Sequence, residues 1–247
     1  THRSDGIVVR NNGIYDNRLG IHTMFTSGSV LYNNTISGQE YTGIHVMTGP
    51  RRNAVVGNRI TETVTALVVG GSESYVADNV VLENNLGFQV DAVGSIIEGN
   101  VFADNRAGAE ARAQLPTNRV FDNDFVGNER HVRSANGRLR IWTYDGRGNY
   151  WEGATGRTDG TVIRRPYTPT DPVDGRLHRT DGAGTLALAP ALDALAGFQG
   201  AVPGMRADEV IDTAPRCEPA NEAWFERTGR TDTEPVCASG TRRSVGQ

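Results

Sequence analysis

An asparagine returns at a nearly constant interval through the first half of the chain: Asn12, Asn34, Asn58, Asn79, Asn100 and Asn123. The steps between them are 22, 24, 21, 21 and 23 residues. Each is led in by a short β-rich run ("GIVVRNN", "SVLYNN", "NAVVGN", "YVADN", "SIIEGN", "NRVFDN") and followed by another ("GIYDN", "TISG", "RITE", "VVLEN", "VFADN", "DFVGN"). Some eight residues beyond the Asn comes a small residue and then, in four of five cases, a large apolar one: Gly20-Ile21, Gly43-Ile44, Ala66-Leu67, Gly87-Phe88 and Gly108-Ala109. Strands this short, separated by Asn, Gly and Asp turns, cannot bury a face alone and must stack on their own repeats. The pattern predicts an all-β fold, a right-handed parallel β-helix of about six visible coils over residues 1–152. The Asn side chains should stack in a ladder inside one turn and satisfy its backbone groups. An antiparallel β-sandwich, the main competitor, predicts neither a common period nor an Asn in one phase. Thr1 falls inside a running coil pattern, so further coils are expected upstream.

The bulk numbers narrow the function. A net charge of −4 argues against a nucleic-acid binder. All 25 basic residues are Arg, which reads as coding bias. The most apolar stretch, Leu186 to Phe198, is broken by Pro190 and Asp193 and is too short to span a bilayer.

Against this background "GIHTM" (residues 20–24) and "GIHVM" (43–47) stand out, in a chain with five His and three Met. Stacked coils place equivalent residues roughly 4.8 Å apart, and residues i and i+2 share a strand face. With Ile21 and Ile44 in the core, His22, Met24, His45 and Met47 become four corners of one outward patch. Following the columns onward gives Val68, Gln89 and Glu110 after the His, and Gly70, Asp91 and Arg112 after the Met. Imidazole with thioether is a donor set suited to copper, above all Cu(I), held openly and transiently. The same residues also read as an apolar patch against a missing coil or partner, or as a duplicated motif without use.

These features together resemble the NosD family of exported β-helix proteins, which serve copper-site maturation in nitrous oxide reductase. The carriers are the Asn-marked coils of residues 6–133, "LGIHTMFTSGSVLYNN", "GRGNYWEG" (146–153), and the apolar tail "LALAPALDALAGFQGAVPGMRADEVIDTAPRCEP". The resemblance implies a periplasmic or extracytoplasmic protein, peripheral to the membrane. Its expected partners are the membrane subunits of an ATP-binding-cassette transporter, a copper chaperone and the reductase apoprotein. His22 and Met24 match the family's Gly-x-His-x-Met-aromatic segment. Where that family usually has Tyr after the Met, this chain has Phe25, and Thr48 in the second copy.

Residues 153–247 predict an irregular extension. A short helix is expected near 187–199, with Leu188, Leu192, Leu195 and Phe198 on one face, packed along the β-helix or docked on transporter subunits. The last thirty residues, rich in Pro, Thr, Arg and Glu, predict loose chain. Cys217 and Cys237 fit a disulfide in an exported protein, or two free thiols. The rival function is carbohydrate chemistry by a lyase, epimerase or glycosidase, for which Asp91, Glu110 and Asp104 are the carboxylates on offer. Asp122 and Asp124 read as turn residues, and His131 and His178 as isolated surface groups. No phosphate loop, nucleophile elbow or HExxH pattern occurs.

Overall fold

The computed structural model describes residues 3–47, 49–112, 117–135, 139–170 and 210–230. Six coils stack as a parallel β-solenoid, each with two three-residue strands; the third strand has five residues in the first five coils and three in the sixth. The first sheet runs β1 (Val8–Arg10), β4 (Val30–Tyr32), β7 (Ala54–Val56), β10 (Tyr75–Ala77), β13 (Ile96–Glu98), β16 (Arg119–Phe121). The second runs β2 (Gly13–Tyr15), β5 (Thr35–Ser37), β8 (Arg59–Thr61), β11 (Val80–Leu82), β14 (Val101–Ala103), β17 (Asp124–Val126), and closes on β20 (Tyr150–Trp151). The third runs β3 (Leu19–Thr23), β6 (Thr42–Val46), β9 (Thr65–Val69), β12 (Leu86–Val90), β15 (Ala107–Ala111), β18 (Val132–Ser134).

Period-two alternation points the middle residue of each short strand inward. Leu31, Val55 and Ile97 from the first sheet, and Ile36, Ile60 and Phe102 from the second, are essentially sealed from solvent. The third sheet adds Ile44, Leu67 and Phe88. Towards the C-terminal end the core becomes aromatic: Phe102 stacks on Phe125 at 5.1 Å, and Phe125 on Trp151 at 4.3 Å.

The asparagine column is a continuous amide ladder. Asn12 donates through Nδ2 to Oδ1 of Asn34 at 3.0 Å, and the chain of bonds passes through Asn58, Asn79 and Asn100 to Asn123 at 2.8–2.9 Å. The same Nδ2 groups donate to backbone carbonyls of the turn, as Asn79 does to Ala77 and Val55. The corner is tight enough to need a left-handed residue just before the Asn. Asn11, Asn33, Asp78 and Asp122 take it at φ of 49° to 56°, and Gly57 and Gly99 fill the remaining coils.

The sequence reading found one ladder; the molecule has a polar column at each corner. Thr63, Asn84, Asn105 and Asn128 form the second. At the third, Asn53 and Asn118 accept from the backbone of Ser29 and Ser95, and Ser95 from that of Ser74. The small residue ahead of the third sheet's core position also gains a reason. A Cβ at Gly20 would sit 2.3 Å from the carbonyl oxygen of Gly43, and one at Gly87 2.4 Å from that of Gly108.

Beyond the sixth coil the ladder adds a seventh rung, Asn149, at 2.9 Å from Asn123, and ends on Asp212. Asp212 is fully buried and accepts from the Asn149 backbone, the Trp151 indole, the Thr143 hydroxyl and the Ala214 backbone. Its segment, β23 (Val210–Ile211), pairs in parallel with β19 (Arg140–Ile141). A two-stranded antiparallel unit, β21 (Thr158–Asp159) with β22 (Val162–Ile163), lies between.

Three expectations need correction. Part of the segment expected to be loose is folded: α1 (Glu222–Thr228) is capped by Asn221 at its start and by left-handed Gly229 at its end. Its Trp224 and Phe225 are buried, the latter edge-on to Tyr150. Asp124 is no turn residue. It is fully buried at the start of β17 and accepts from the backbone of Ala220 at 2.7 Å and Asn221 at 2.9 Å, which ties the helix to the coil. Asp122 does occupy a turn, but as an ion-pair hub for Arg147 and Arg216. His131 is half-buried rather than a surface group, packed edge-on against Phe125 and Trp151 with Nε2 at 3.0 Å from the Glu152 carbonyl. His178 and the expected helix near 187–199, with Leu188, Leu192, Leu195 and Phe198, lie outside the described residues, as does Cys237. Cys217 is buried, and no free cysteine occurs among the described residues.

Candidate metal site on the third sheet

The five-residue strands of the third sheet carry the two Gly-Ile-His-x-Met segments. Strand β3 pairs with β6 in the register Ile21 with Ile44, His22 with His45, Thr23 with Val46. Because Ile21 and Ile44 are buried at 6% and 0% exposure, alternation turns both histidines to the outer face. Their rings stack with centroids 4.9 Å apart and planes 18° from parallel. The ladder continues one residue further: the Met47 N–H donates to the Thr23 carbonyl at 3.1 Å, which sets Met47 beside Met24. All four side chains are half-buried on the solvent side. The four residues singled out from the sequence therefore stand as two adjacent pairs on two adjacent coils.

Both imidazoles titrate below their ordinary value. Burial is the main cause for each, and for His45 the charge of its neighbour His22 adds to it while Asp91 opposes. A half-buried ring beside another ring is costly to charge. Near pH 7 the pair is accordingly neutral, the form that offers a lone pair to a metal. The donor set fits a soft monovalent ion: two neutral imidazoles and two thioethers on a rigid backbone. Among the described residues no group of three or more His, Cys, Asp or Glu is placed to hold a metal, so a site here depends on the methionines.

Phe25 follows Met24 in the left-handed region at φ 49° and is 54% exposed, with the Arg3 guanidinium 5.9 Å from its ring. A bulky aromatic there is an outlier that costs on the order of 1 kcal/mol. Thr48, its counterpart, lies outside the described residues.

Further along the same face the columns run as the spacing predicts. His45 is followed by Val68, Gln89, Glu110 and Arg133. Met47 is followed by Gly70, Asp91 and Arg112. The carboxylates considered for carbohydrate chemistry are engaged. Glu110 pairs with Arg112 at 3.3 Å and Arg133 at 2.8 Å, Asp104 pairs with Arg230, and Asp91 accepts from Gln89. The sequence reading placed Asp91 with that rival. Its electrostatic reach to His45 was the missed feature, and the side-chain-free Gly70 between Met47 and Asp91 is the signal that could have found it.

Fold and patch together define a class: a β-solenoid whose third sheet presents two stacked His-x-Met segments on its outer face. The family model described as periplasmic copper-binding protein (NosD) matches residues 1–156, and the chain belongs to that family. It is similar to the probable ABC transporter binding protein NosD of Pseudomonas aeruginosa, 32% identical over 165 residues, which is 66% of this chain and 36% of that protein. It is likewise similar to the probable ABC transporter binding protein NosD of Stutzerimonas stutzeri, 32% identical over 130 residues, 52% of this chain and 30% of that one. The chain thus spans about a third of the length of the curated relatives it matches. No helix among the described residues is long and apolar enough to cross a membrane.

Proposed function

We propose that this chain handles copper outside the cytoplasm as a non-catalytic accessory protein. In this reading it works with the membrane subunits of an ABC transporter, takes copper from a chaperone and passes it towards the nitrous oxide reductase apoprotein. His22, Met24, His45 and Met47 hold the ion, as Cu(I) and transiently, and the protein reaches the membrane through its partners. A disulfide between Cys217 and Cys237 belongs to the same reading, since an exported chain meets oxidising conditions.

The observation that carries the proposal is the register of His22 with His45, rings 4.9 Å apart, with a Met two residues on in each strand. An open site built from neutral soft donors releases its ion readily, as a transfer protein requires. Anaerobic Cu(I) titration against a competing chelator is expected to give about one equivalent per chain. Changing both histidines to Ala, or both methionines to Ala, should abolish binding while the β-rich circular dichroism stays unchanged. Parental affinity in both double variants would overturn the ligand assignment.

A further inference from the structure

We infer that Asp91 is a fifth residue of the His–Met site, a fixed negative charge that faces the bound cation across Gly70. The inference rests on the copper reading above. Two imidazoles and two thioethers are neutral, so an ion held by them keeps its full charge. A half-buried positive charge is unfavourable without a counter-charge nearby.

The coil stack supplies one. In the third coil the two columns hold only Val68 and Gly70, and Gly70 projects no side chain. The next side chain past Met47 in its column is therefore Asp91, two coils on, roughly 10 Å away at the backbone. The carboxylate is held in place: Gln89 donates through Nε2 to Oδ2 of Asp91 at 2.5 Å, and Arg112 donates through Nη1 to Oε1 of Gln89 at 3.2 Å. Glu110 cannot take this role, because Arg112 and Arg133 already neutralise it. Among the described residues no Arg or His lies within ion-pair distance of Asp91. Its charge is thus not cancelled by an ion pair. Asp91 is a positioning residue acting through space.

The test is Cu(I) affinity by chelator competition at low ionic strength and again in about 1 M sodium nitrate, where charges beyond roughly 3 Å are screened. Asp91→Asn should weaken binding about two- to fivefold at low salt, as expected for one charge across roughly 10 Å of partly wet space. The gap should close at high salt, and Asp91→Glu should restore parental affinity. Equal affinity of Asp91→Asn and parent at low salt would overturn the inference, as would a loss that high salt leaves intact. If the double His variant loses binding while Asp91→Asn does not, this inference fails and the copper reading stands. If neither change matters, both fall.

Discussion

The first two coils and the last two are built on the same rung geometry, yet one end leaves its unusual chemistry open to solvent and the other covers it. At the start, the interior is ordinary aliphatic core around Leu31, Ile36 and Ile44, and the distinctive groups, His22, Met24, His45 and Met47, stand outside. At the end, the outer face of the third sheet carries an ion-paired surface around Glu110 and Arg133. The distinctive groups there are buried: the Phe125–Trp151 stack inside the coil, the Asp212 carboxyl at the ladder's end, and the Asp124 carboxyl on the outer face of the second sheet beneath the Ala220–Asn221 segment. The difference teaches that the amide ladder fixes the coil whatever its outer face displays. Exterior positions are then free for ligands, and the cost of ending the stack falls on the buried polar groups at the other end.

The comparison breaks most visibly at Asp212. Asp212→Ala leaves the Asn149 backbone, the Trp151 indole and the Thr143 hydroxyl without their acceptor, and should cost about 3–5 kcal/mol. Urea unfolding measures it, and a loss under 1 kcal/mol would mean the ladder's end is not what secures the cap.

The pH dependence at Asp124 comes next. Burial pushes its carboxyl up to about 7, although the Ala220 and Asn221 N–H groups and the Arg216 charge pull the other way. A raised acid favours the folded state while protonated. Its stabilisation is complete below the unfolded value near 3.8 and is lost as pH rises towards 7, about 4 kcal/mol in all. Asp124→Asn, a stand-in for the protonated group, should therefore gain stability relative to the parent between about pH 4 and pH 7. A gap that does not change with pH would sink this reading.

The smallest effect should come from the opposite end. His22→Ala with His45→Ala should shift unfolding free energy by no more than about 0.5 kcal/mol, because the two rings contribute little to the core. A larger loss would show that the stacked imidazoles brace the coils, and would blunt the contrast between the two ends.

Much of this was legible in the sequence, because a parallel stack converts spacing directly into neighbours. Six asparagines in phase predicted the coil, and the columns derived from that phase run as the strands pair. The patch followed from the same arithmetic, since register and alternation alone place His22 beside His45. What stayed hidden has a physical cause in each case. The second corner accepts Asn, Thr or Gln in the same place, as Asn84, Thr63 and Gln39 do, so its Asn repeat is interrupted in the second and third coils. Asn149 lies 26 residues past Asn123, outside the period, because an irregular turn intervenes. Asp124 and Asp212 look like ordinary surface acids until their partners, about 60 to 100 positions away, are known. The helix at 222–228 is too short, and its setting too polar, for periodicity to reveal it.

The amide ladder also has a direction. Every rung donates its Nδ2 to the rung on its C-terminal side, and the last donates to the carboxyl oxygen of Asp212. Duplicating a whole coil anywhere before Asn149 preserves each link, whereas a coil slipped between Asn149 and Asp212 would strip the terminal acceptor from the seventh rung. Coils added before Asn149 would therefore move the His–Met pair away from the plugged end without disturbing the plug.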